Sequence, residues 1–184
     1  ERDLFSCHGS FYELPAENAD GFAKIRPIAS HSFAINDFAS YRGMMMFTGI
    51  DHAKARRNPH VVFSEDGKVA VWAGVIDDLW RMGKPTGHGG PWVGTTVKAG
   101  EPSDPYLIGF YDKRAMTLSH TNSDSVAFTV EVDPTGDGSW FHYGTFVVAA
   151  GESLEYLFPQ TFQGRWVRII TDCDTEATAW FEYE

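Results

Sequence analysis

His88 and Trp92 stand four residues apart across Gly89-Gly90-Pro91, and Asp77, Asp78, Trp80 and Arg81 precede them on one stretch, Ile76 to Asp104. Imidazole shuttles protons near neutrality, and a carboxylate serves as acid, base or hydrogen-bond acceptor. An indole ring left open by neighbouring glycines offers a flat face on which a sugar can stack. His88 and Asp78 are therefore the candidate catalytic pair and Trp92 the candidate sugar platform. The adjacent carboxylates Asp77 and Asp78 point to opposite sides of an extended chain, so they do not flank one glycosidic bond together. One of them would work with a partner elsewhere, such as Asp37 or Asp51. With six glycines and three prolines, the stretch reads as a long loop and not as one helix or strand. It is either a functional loop or an ordered one whose tryptophans plug the edge of a core.

Several chemistries are not supported. No HExxH or His-x-His spacing provides a catalytic zinc site, and no Gly-x-Ser-x-Gly elbow, P-loop or dinucleotide fingerprint is present. Asp133-Pro134-Thr135-Gly136-Asp137-Gly138 begins like a calcium loop, but Gly144 stands where the closing acid belongs, so a hairpin turn is the better reading. No metal site and no cofactor are expected. The net charge of −10 and the lack of a basic stripe exclude a nucleic-acid partner. No run of apolar residues reaches the roughly eighteen that a membrane span needs. Cys7 and Cys173 lie near opposite ends of the chain and lack metal spacing; they pair if the termini meet, or remain as buried thiols.

The elements that must position these residues are strands. Short apolar or alternating runs are separated by Gly, Asp, Asn and Pro, and helical periodicity is nearly absent, which predicts an all-β protein. Strands are expected at 4–6, 10–14, 35–39, 44–48, 61–64 and 69–74, then at 106–110, 116–119, 126–132, 141–148, 154–158, 166–171 and 178–183. Residues 51–57 allow a helical turn or two. Tight turns alternate with long connections at 15–32, 49–60 and 76–104. In an up-and-down sheet the long ones would share one rim. That rim would bring His31, Arg56, Arg57, His60, Arg81 and Trp92 together as substrate-binding residues, beside the candidate catalytic His88 and Asp78.

The segments SFYELP, INDFASYRG, VFSEDGKVAVWAGVIDDLW, GGPW, SDPYLIGFYDK and RWVRIITDCDTEATAWFEY resemble the C-terminal part of secreted bacterial β-propeller proteins associated with glycan breakdown. The resemblance implies four-stranded meanders and a sugar-related function, and it assigns no nucleophile or acid. With 184 residues the chain holds about four meanders, the low end for a propeller. Residues 1–102 are expected to form a propeller-like region with long loops. Residues 103–184 are expected to be blade-like or, alternatively, a β-sandwich of the jelly-roll or immunoglobulin kind. The start at Glu1 fits a mature secreted or periplasmic protein, an excised piece or the tail of a longer enzyme. The leading expectation is a portion of a glycoside hydrolase or polysaccharide lyase acting on an oligo- or polysaccharide. A non-catalytic sugar-binding sandwich and a structural or protein-interaction module are the alternatives.

Overall fold

The computed structural model describes residues 3–15, 19–55 and 57–184 of the chain. Its described secondary structure is dominated by antiparallel strands arranged in four sheets, so the all-β expectation holds. The sheets form two pairs, each built around its own hydrophobic core.

The first pair spans residues 3–82. Strands β1 (Asp3–Cys7), β2 (Ser10–Leu14) and β3 (Arg26–Ser30) form a three-stranded meander. His8 and Gly9, both with positive φ, make the tight turn between β1 and β2. Strands β4 (Phe38–Tyr41), β5 (Met44–Phe47), β6 (Val61–Phe63) and β7 (Ala70–Gly74) form the second sheet. Phe11, Phe47 and Trp72 fill the core between these sheets, with the Trp72 ring stacked on Phe47 at 4.7 Å. A single helical turn, His52–Ala55, forms within the 51–57 stretch where the sequence allows a turn or two.

The order in this second sheet is β4-β5-β7-β6, whereas a meander would place β6 beside β5. Strand β7 is antiparallel to both β5 and β6, so β5 and β6 run in the same direction with β7 between them. The 49–60 connection therefore travels from one end of the sheet to the other. The segment after β3 enters β4 at the end where β5 finishes, while the chain leaves β7 at the opposite end, beside the β4–β5 turn. The shared rim expected for the long loops is thus not formed, because its premise was an up-and-down strand order.

The second pair spans residues 87–184. Strands β8 (Gly87–Val97), β10 (Arg114–His120), β13 (Ser153–Leu157) and β15 (Thr175–Tyr183) form one sheet in the order β13-β10-β15-β8. Strands β9 (Tyr106–Leu107), β11 (Val126–Asp133), β12 (Phe141–Val148) and β14 (Trp166–Thr171) form the other, in the order β12-β11-β14-β9. Burial alternates residue by residue along β10, β11 and β14, as it must when one face of each sheet meets a shared core. Met116, Leu118, Val126, Phe128, Val130, Ile169 and Phe181 are all at 0% exposure in that core. Burying a ring such as Phe128 is worth about 1.5–3 kcal/mol relative to leaving it in water.

Strand β8 overturns the long-loop reading of 76–104. Residues Ile76–Arg81 form a 3-10 helix, and the glycine-rich run behind it is the longest strand in the fold. Its glycines serve close packing. A Cβ on Gly90 would lie 1.9 Å from the Ala179 carbonyl oxygen of β15, where the register between the strands also shifts. Pro91 is tolerated because β8 is an edge strand. Residues 87–97 thus belong with the second core, and the two cores divide ahead of them.

Candidate functional site

The structure scatters the residues chosen from sequence. Asp78 caps the 3-10 helix by accepting the Val75 N–H at 2.9 Å, and its other oxygen lies 3.6 Å from Arg81. His60 is 3.9 Å from Asp78, beyond hydrogen-bond reach, and its Nδ1 faces the Ala73 carbonyl at 3.3 Å. These three therefore cluster at one end of β6 and β7. His88 lies on exposed β8, tilted against Trp180 at 5.7 Å, and no contact joins it to Asp78 among the described residues. His31 packs between Phe11 and Phe33; its Nδ1 accepts the Phe33 N–H, and its buried Nε2 has no partner. Burial holds its pKa below the ordinary imidazole value. Arg57 is exposed after the helical turn, and Arg56 lies outside the described residues.

Trp92 is corrected outright as a sugar platform. Its side chain is 7% exposed and belongs to the second core, so its ring faces protein and not solvent. The flanking glycines let β8 approach its neighbour closely and do not open the indole. Cys7 and Cys173 are free thiols. Asp133, 2% exposed, accepts backbone N–H groups of Thr135, Gly136 and Gly138 at 2.7–3.1 Å, which makes DPTGDG the hairpin turn between β11 and β12. No group of three or more metal-ligating side chains gathers among the described residues, and no described helix is long and apolar enough to cross a membrane.

The seam between the sheet pairs holds what the sequence reading missed. Trp166 opens β14 and donates its indole N–H to the Ala23 carbonyl at 2.8 Å. The neighbouring Arg165 donates from Nη1 to the Ile25 carbonyl at 3.1 Å. Gly136, with φ of 72°, brings the turn so near that a Cβ there would lie 2.5 Å from the Ala23 oxygen. Beside this contact, Phe22, Pro105, Trp140 and Trp166 line a slot of about 380 Å3 with mostly apolar walls. Phe22 is 58% exposed, and the Arg168 guanidinium sits 4.5 Å from the Trp140 ring centre. Glu131 anchors that guanidinium at 2.7 Å, so the indole is held from one side. Aromatic faces fixed in a partly open slot can receive the apolar face of a sugar ring.

One signal for these residues was available. Trp166 begins a strand and Trp140 directly follows a turn, positions that place a ring at a sheet's end rather than over its middle. Comparison with known proteins gives no further guide: no family model matches the chain, and no curated protein or solved structure matches it.

Proposed function

We propose that this chain binds carbohydrate as a non-catalytic module of a secreted glycan-degrading system. In this reading residues 87–184 form a sugar-binding β-sandwich of jelly-roll kind, and the two sheets of the first half are a companion unit beside it. The observation that carries the reading is the slot of Phe22, Trp140 and Trp166, with one indole braced by Arg168 and the other by a backbone carbonyl. Binding is favoured over hydrolysis by geometry: Asp78 is engaged as the cap of the 3-10 helix, and no contact brings it to His88 among the described residues.

The test is a glycan array probed with the chain, followed by titration of any retained polysaccharide into Phe22→Ala and Trp140→Ala variants. Each variant is expected to lose about tenfold in affinity, the scale of a central aromatic anchor. An array silent across plant and algal polysaccharides would sink the reading. So would full affinity in both variants.

A further inference from the structure

The seam contains a second concavity, a cleft of about 810 Å3 within the roughly 300–1,000 Å3 range of ligand sites. Its walls include Lys84, Phe110, Lys113, Arg114, Gln163 and Arg165. Four cations thus line it against one carboxylate, Asp112, in a chain whose net charge is −10. Asp112 pairs with Lys84, and Glu184 pairs with Lys113 at 2.7 Å. The two lysines are therefore matched. Neither arginine is paired with a carboxylate among the described residues.

Both guanidiniums are held by backbone carbonyls and aromatic rings, with carboxylates acting only at longer range. Arg114 is 6% exposed; its Nη1 reaches only the Phe162 carbonyl at 3.3 Å, and its buried Nε has no partner. A buried cation with an unused donor is costly unless something completes it. Arg165 lies over the Phe110 ring at 4.8 Å, and Arg26 lies over the same ring at 5.6 Å. Burial first, and then the like charge of Arg26, lower the pKa of Arg165. Phe110 itself has φ of 72°, an outlying conformation for a bulky residue, and it stays 43% exposed with both guanidiniums near its ring.

We propose that this cleft is an anion site for the carboxylate or sulfate of an acidic sugar chain. The inference rests on the carbohydrate reading above and gives it a substrate class. A guanidinium offers the forked donor geometry that a planar carboxylate or a sulfate edge accepts, and the Gln163 amide is suited to ring hydroxyls. The cleft and the slot flank the same turn: Pro134 lines the cleft while Gly136 lines the slot, and Arg165 and Trp166 divide between them. One chain can therefore place an anionic group on the arginines and a sugar ring on the tryptophans.

The test compares retention of the whole chain on polygalacturonate, on carrageenan and on neutral galactan, by affinity electrophoresis at fixed salt. An acidic protein is repelled by acidic polymers unless a local site outweighs that repulsion. Retention on either acidic polymer is expected to exceed that on galactan by about tenfold or more. Preference for polygalacturonate identifies a carboxylate, and preference for carrageenan a sulfate. Arg165→Gln is expected to weaken acidic binding by about tenfold and galactan binding hardly at all. Should that variant fail to fold, Lys84→Gln, on a side chain 78% exposed, is expected to show the same selectivity with a smaller loss. Equal retention on all three polymers, unchanged by these variants, overturns the anion site and leaves the sugar reading standing. Retention on none overturns both.

Discussion

The two halves of this chain use β-structure differently. In residues 87–184 the strands reach eleven residues, and burial alternates along β10, β11 and β14. In residues 3–82 no described strand exceeds five residues, and the core depends on a chain of aromatic contacts from Phe11 through Phe47 to Trp72. A long alternating strand commits each side chain to a face through its backbone. A short strand leaves that decision to ring-on-ring packing and to whatever braces its ends. The second half is thus built as a rigid platform, and the first half leans on it through Ala23, Lys24 and Ile25.

The sharpest way to break this comparison is to cut each core. Phe128→Ala should cost about 3–5 kcal/mol and expose both halves, whereas Phe47→Ala should cost a similar amount confined to the first half. Hydrogen exchange distinguishes them. If Phe47→Ala also strips protection from β10 and β14, the halves are one cooperative unit and the comparison fails. Gly136→Ala should cost about 1–3 kcal/mol by forcing a Cβ against the Ala23 oxygen at positive φ, with protection lost in residues 22–30 before β14. Arg168→Gln breaks the Glu131 pair and unbraces Trp140; thermal unfolding of the second half should register a loss of about 1 kcal/mol.

The smallest expected effect is a pH dependence in the first half. His31 titrates lower in the folded state than its ordinary 6.5, because burial disfavours its charged form. Below 6.5 the unfolded chain binds the proton more readily, so stability falls as pH drops from 6.5 towards the folded value. His31→Phe should flatten that slope in pH-dependent denaturation of the first half while leaving the second half unchanged. An identical slope in both proteins would remove His31 as its source.

The strands of the second half were legible because alternation survives translation from sequence to structure, as Val126, Phe128, Val130 and Val132 illustrate. β8 was not legible. Glycine's low strand preference conceals a run whose small residues answer to the carbonyl of Ala179, a contact made across more than eighty residues of chain. β3 was hidden within a long apparent loop because Pro27 argues against a strand, although it sits at the sheet's edge. The candidate site failed for a related reason. Polar residues and Trp92 were grouped by connection length, which assumed that sequence order was spatial order. The β4-β5-β7-β6 arrangement and the burial of Trp92 remove that assumption. Phe22, Trp140 and Trp166 converge from three distant segments, and no local spacing encodes such a meeting.

The position of β7 between β5 and β6 carries a consequence for the order in which the chain assembles. The β4–β5 and β6–β7 hairpins each close over a short loop, so each can form early and independently. Joining them requires the 49–60 segment to swing the second hairpin round, so that its later strand meets β5 and its earlier strand is left outermost. Loop-closure entropy opposes that docking. Lengthening this segment should therefore slow refolding of the first half by a modest factor, and stopped-flow tryptophan fluorescence would time the step.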